Sequence, residues 1–91
     1  MEFHSLPGRI VYGDGTTELA CVDFPQVEQG IVDINHTFVD ESLRGQGMAG
    51  QLMQRCADQL RKDGLRAKTG CSYAEKWFEK HPEYSDVLAE K

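Results

Sequence analysis

The run Phe38-Val39-Asp40-Glu41-Ser42-Leu43-Arg44-Gly45-Gln46-Gly47-Met48-Ala49-Gly50 joins an apolar, strand-like segment to a long amphipathic one. Such a junction suits an anion. Its glycines let the backbone approach a ligand closely, the helix that follows turns free N–H groups and its positive dipole end toward that ligand, and Arg44 adds a fixed charge. Cys71 is the second position with chemical potential, because it lies between a short strand and the start of a helix, where thiolates and hence nucleophiles are favoured. His36 is a candidate base for that thiol, against the plainer reading of a hydrogen-bonded core histidine. Cys21 and Cys56 fall on apolar strand and helix positions and read as packing residues.

The elements that must position these groups follow from periodicity. Arg9-Ile10-Val11-Tyr12, the turn Gly13-Asp14-Gly15 and residues 18–24 form an antiparallel hairpin. Pro25 and Gly30 bracket the next turn, and residues 31–39 read as one third strand with Val32, Ile34, His36 and Phe38 on one face. Met48, Ala49, Leu52, Met53, Cys56, Ala57 and Leu60 make a helical stripe that Gly64 ends, with Asp58 and Lys62 as a favourable pair one turn apart. Residues 65–69 then read as a fourth strand, parallel to the third through a right-handed crossover. Ser72 and Glu75 spell a capping box for a short helix that Pro82 terminates, with Tyr73, Ala74, Trp77 and Phe78 turned inward. The expected architecture is an α/β or α+β mixed sheet: a three-stranded antiparallel meander, a βαβ crossover and a short capped helix. The loops after Val39 and Thr69 would then emerge at one edge of the sheet, where open α/β sheets take their ligands.

Composition bounds the answer. The chain has 91 residues, enough for one domain that buries roughly 60–65% of its extended surface, so any ligand site is shallow or lies between surface elements. A net charge of −5 would repel nucleic acid and anionic membranes, and the basic residues Arg55, Arg61, Lys62, Arg66 and Lys68 read as a solvated helix end. The three cysteines, without CxxC spacing, argue against a disulfide framework and a zinc site, leaving no metal expected. No apolar run is long enough to span a bilayer and the N-terminus has no secretory pattern, so a cytoplasmic location is expected. Open sheet edges suggest a monomer or weak dimer.

Three phosphate motifs compete for the loop. Residues 45–50 satisfy G-x-G-x-x-G, but five residues separate the strand from the first glycine and no acidic residue ends the next strand, both unlike a dinucleotide site. A P-loop fails because no Gly-Lys-Ser/Thr follows. The third, Arg/Gln-x-x-Gly-x-Gly/Ala, is filled by Arg44-Gly45-Gln46-Gly47-Met48-Ala49. There the chain resembles the Gcn5-related N-acetyltransferase (GNAT) superfamily, and the runs Asp33-Ile34-Asn35-His36-Thr37-Phe38-Val39, Cys71-Ser72-Tyr73 and Lys80-His81-Pro82-Glu83-Tyr84 extend the likeness to a compact subgroup over residues 9–88.

The resemblance implies a truncated acyl-CoA N-acyltransferase-like fold that binds acetyl-CoA as co-substrate. It implies that Phe38 and Val39 offer main-chain groups to the pantetheine arm and that Arg44, Gly45, Gln46, Gly47, Met48 and Ala49 hold the pyrophosphate. Cys71 would then face the thioester. It would either carry the acetyl group covalently or assist direct attack by an amine through positioning or proton donation, with Tyr73 and Tyr84 as further proton donors by analogy. Compared with that superfamily the chain lacks the helices after the first strand and the strands closing the far side of the sheet. An exposed cleft of that kind fits a protein or peptide amine more readily than an enclosed metabolite. A CoA-binding module without turnover and a ligand-free interaction domain remain as alternatives.

Overall fold

We describe a computed structural model covering residues 1–89. It begins with β1 (Glu2–Leu6), paired antiparallel with β2 (Arg9–Gly13). Sequence alone suggests a frayed end around His4, and the structure corrects this. The Phe3 ring lies 4.8 Å from the Tyr12 ring, and the Arg55 guanidinium sits 3.8 Å over it. These contacts fasten the strand by burial and by cation–π attraction.

The expected hairpin forms between β2 and β3 (Glu18–Asp23). At its turn the Asp14 carboxylate accepts from the Thr16 and Thr17 amides at 3.0 and 2.8 Å. Beyond Pro25 come β4 (Gln26–Glu28), β5 (Ile31–Asp33) and β6 (His36–Val39). Helix α1 (Met48–Asp63), β7 (Arg66–Lys68), α2 (Ser72–Lys80) and a 3₁₀ segment, Pro82–Val87, complete the chain.

The single third strand of the sequence reading is two strands in two sheets. β5 pairs parallel with β7 in a sheet ordered β4-β5-β7, whereas β6 pairs antiparallel with β3 in a sheet ordered β1-β2-β3-β6. The exchange takes place at residues 34 and 35, where the Ile34 amide donates to the Lys68 carbonyl at 2.9 Å and the Asn35 amide to the Asp23 carbonyl at 3.1 Å. The interruption also reverses side-chain parity, as an extra strand residue does. Val32 and Ile34 are buried, but His36 and Phe38 are exposed and on the opposite face, while Thr37 and Val39 turn inward beside Val22 and Ala20. Strict alternation across residues 31–39 therefore fails, although the parallel strand, the crossover helix and the mixed α/β class are all present.

α1 packs through Met48, Leu52, Met53, Cys56, Ala57 and Leu60, which are buried. Burying a large side chain contributes roughly 1.5–3 kcal/mol, whereas a side-chain N-cap contributes about 1. The helix thus tolerates Gly47 at its N-cap, which makes no side-chain capping bond. The helix is also tied to the C-terminal segment. The Tyr84 hydroxyl donates to Asp58 Oδ1 at 2.7 Å, and Arg61 bonds Asp86 Oδ2 and the Glu83 carbonyl, each at 2.9 Å. Asp58 accordingly serves Tyr84, and of the basic residues around the helix end Arg55, Arg61 and Lys68 engage Phe3, Asp86 and Glu28 respectively.

Two consequences concern thiols. Burial pushes Cys56 from 9.0 up to about 12, so between those values the unfolded thiol has lost a proton that the folded one keeps. Stability from this source is intact below pH 9 and declines as pH rises toward 12. The difference in unfolding free energy between the native chain and Cys56→Ala, measured by urea denaturation, should shrink over that window, and a constant difference would contradict the burial. With Cys21 and Cys56 buried and Cys71 partly exposed, a thiol reagent added to folded protein should label one site quickly. Cys71→Ala should abolish that phase.

Candidate functional site: an open strand edge beside a glycine loop

Because the chain parts from β7 at the end of β5 and β6 joins β3, the second edge of β6 is unpaired among the described residues. The Asp40 amide donates to the Leu19 carbonyl at 2.6 Å, and the ladder alternates from there. Phe38 and His36 direct their N–H and C=O groups at β3, and Thr37 and Val39 direct theirs at the open edge. Consistent with this, Arg44 Nε lies 3.5 Å from the Val39 carbonyl. Of the two residues expected to offer main-chain groups, Val39 presents them to the cleft and Phe38 does not. Thr37 takes that place.

The chain leaves β6 through a 3₁₀ turn, Glu41–Leu43. Asp40 organises it by accepting from the Ser42 amide at 3.0 Å and the Ser42 hydroxyl at 2.7 Å. Those two bonds hold its carboxyl below the usual range. Gln46 Nε2 reaches back to the Ser42 carbonyl at 3.4 Å. Gly45 and Gly47 then adopt φ of 82° and 75°, the left-handed region where a Cβ is disfavoured by roughly 1–2 kcal/mol. With the Gln51 amide donating to the Gly47 carbonyl at 3.1 Å, the amides of Met48, Ala49 and Gly50 in the first turn have no intrahelical partner. They face a groove of about 170 Å³ lined by Val39, Leu43, Arg44, Gly45, Gly47 and Tyr73, among others. Arg44, Gly45 and Gln46 are exposed.

The third wall is the start of α2. The capping box does not form: the extended backbone ends at Cys71 (φ −112°, ψ 136°), which is the N-cap, and Ser72 is already helical. This sets the Cys71 thiol toward β6, with Sγ 3.7 Å from the Thr37 hydroxyl. The approach of β7 to β5 is close here. A Cβ on Gly70 would collide with the Asp33 carboxylate, whose Oδ1 is buried without a hydrogen-bond partner among the described residues. Tyr73, expected in the core, is 39% exposed, and its hydroxyl lies over Gly50. Partial burial and the neighbouring Cys71 push its phenol up.

Cys71, Val39 and the loop from Arg44 to Ala49 are thus brought together, and Thr37, Leu43, Gly50 and Tyr73 join them. His36 is not among them. It projects from the opposite face of β6, beside Asp23 and Cys21 rather than toward Cys71. Tyr84 is likewise remote, bonded to Asp58 on α1. Thr37 is the residue that sequence reasoning missed, its signal being the parity it shares with Val39, whereas Tyr73 enters through the resemblance as a further proton donor.

The unpaired strand edge, the free helix amides and Arg44 bring hydrogen-bonding groups and a positive charge to one groove. Comparison with known proteins identifies the family. The GCN5-related N-acetyl-transferase family matches residues 9–87. Protein NATD1 of Bos taurus is 32% identical over 69 residues, covering 76% of this chain and 61% of that protein. The Danio rerio protein of the same name is 30% identical, covering 82% and 70%. The chain therefore spans about three-fifths of the length of the first of these relatives. Among solved structures, a GCN5-like protein of Staphylococcus aureus superposes with a TM-score of 0.80 at 27% identity, covering 99% of this chain and 89% of the other. The ribosomal-protein-S18-alanine N-acetyltransferase of Escherichia coli shares the fold, with a TM-score of 0.64 at 18% identity over 80% of this chain and 50% of that one. This chain belongs to the GCN5-related N-acetyltransferase family.

Proposed function

We propose that the protein binds acetyl-CoA in the groove between β6 and α1 and transfers the acetyl group to an amine. The observation that carries this reading is the Cys71 thiol 3.7 Å from Thr37, which shares its open edge with Val39, a residue that lines the glycine-loop groove. In this arrangement the diphosphate takes the amides of residues 47–50 and the Arg44 guanidinium. The pantetheine arm runs along the free edge of β6, adding main-chain bonds as a further strand would, and the thioester arrives beside Thr37 and Cys71.

Two routes use these residues. In the covalent one the Cys71 thiolate attacks the acetyl carbonyl, a new C–S bond forms, and CoA departs with the electron pair of the broken thioester bond. The amine then displaces Cys71, and its proton passes to solvent or to a second amine. In the direct one the amine attacks the thioester itself and a proton from Cys71 or Tyr73 goes to the departing CoA thiolate. His36 faces away from both. Beside Cys71 the groove is open, with Ser72 and Tyr73 exposed, which favours an amine carried on a protein or peptide. Among the described residues no helix is long and apolar enough to cross a membrane.

Binding is tested by thermal-shift titration. A ligand of the folded state stabilises by RT ln(1 + [L]/Kd), about 2.7 kcal/mol at a hundredfold excess over Kd. Arg44→Ala should weaken CoA roughly tenfold to a hundredfold, the loss of a charged hydrogen bond. No shift at millimolar CoA would contradict the reading. Chemistry is tested by intact-mass measurement after incubation with acetyl-CoA. One acetyl group should appear on the native chain and be absent from Cys71→Ala if the covalent route operates. Turnover of an offered amine by Cys71→Ala without that adduct selects the direct route, and binding with neither leaves a module without turnover.

A further inference from the structure

On the face of β3 turned away from α1, three donor side chains meet that the cleft does not use. Cys21 and Asp23 are two residues apart on one strand and so share a face, and His36 stands directly opposite Asp23 on β6. Sulfur, a carboxylate oxygen and a ring nitrogen all lie within 4.8 Å of one another. Cys21 is buried, Asp23 half-buried and His36 exposed, which gives a buried floor and an open mouth.

We propose that Cys21, Asp23 and His36 bind one divalent transition-metal ion of zinc's class, with water as the fourth ligand. The mixed S, O, N donor set suits such an ion and disfavours magnesium or calcium, which select oxygen. Ligand bonds of about 2.0–2.3 Å in a tetrahedron place neighbouring donors roughly 3.4–3.7 Å apart. A small contraction from the observed spread reaches this, and the exposed His36 ring is free to supply it. Linear spacing conceals the site, because β3 and β6 are joined only across the sheet.

Arg9 now fills the position. Its Nε donates to Asp23 Oδ1 at 2.8 Å, its Nη2 lies 3.6 Å from Cys21 Sγ, and Glu18 holds the other side of the guanidinium at 2.8 and 2.9 Å. A metal must therefore draw Asp23 and Cys21 from Arg9 while Glu18 retains it. The consequence has a definite sign: removing the Arg9 charge strengthens metal binding, whereas a merely structural cluster gains no metal affinity from losing it. An ion here would also fasten β3 to the first residue of β6, on the reverse of the strand that presents Thr37 and Val39.

The test is Co²⁺ titration of the intact chain under a non-thiol reductant, following thiolate-to-metal absorption, with Zn²⁺ as competitor. One equivalent should bind and be displaced by Zn²⁺. His36→Ala, at an exposed position that leaves packing intact, and Cys21→Ser should each abolish the signal. Arg9→Gln should tighten binding by about tenfold or more, and Cys71→Ala, which removes the accessible thiol, should leave the signal in place. Absence of binding to the native chain overturns the proposal, as does a signal that survives His36→Ala or weakens in Arg9→Gln.

Discussion

Between Ile34 and Asn35 the backbone passes its hydrogen bonds from one sheet to the other, the first amide donating to Lys68 and the second to Asp23. A strand that paired with β3 on one side and β7 on the other over its whole length would have no free edge, and this exchange resolves the conflict. β5 closes the parallel pair that the crossover helix requires, and β6 is released to present Thr37 and Val39 to the gap. An unpaired edge is ordinarily a liability for association. Here the start of α2 and the glycine loop flank it, so the free N–H and C=O groups line a groove.

The same economy holds at the helix. α1 is secured by its buried stripe and by Tyr84 and Arg61 against the C-terminal segment, so its N-terminus needs no cap of its own. Gly47 leaves the first amides available, and Arg44 brings a positive charge to a molecule whose net charge is −5. Asp40 turns its carboxylate onto Ser42, where it shapes the loop, and the Ser42 bonds together with Arg44 keep it ionised.

Much of this is legible in the sequence, and what is not has a common cause. The loop from Arg44 to Ala49, the stripe of α1, the Gly64 stop and the parallel placement of residues 66–68 all rest on local patterns, and the structure contains each of them. His36 and Phe38 were misplaced because a single interruption at residues 34 and 35 inverts every side chain after it, and its one turn former, Asn35, sits inside an otherwise alternating run. β1 was missed since its stability comes from Tyr12 and Arg55, distant in sequence. Ser72 lost the N-cap to Cys71 because the chain stays extended one residue longer after β7. Thr37 and the Cys21, Asp23, His36 cluster are products of cross-strand register, which a linear motif does not carry.

The central claim is that the free edge of β6 and the first amides of α1 bind one extended ligand together. Amide chemical-shift mapping with CoA tests it most directly. The account predicts that saturating CoA shifts Thr37, Val39 and residues 45–50 together, with the His36 and Phe38 amides, bonded to β3, moving less. Shifts confined to another face, or in the loop without β6, would contradict it.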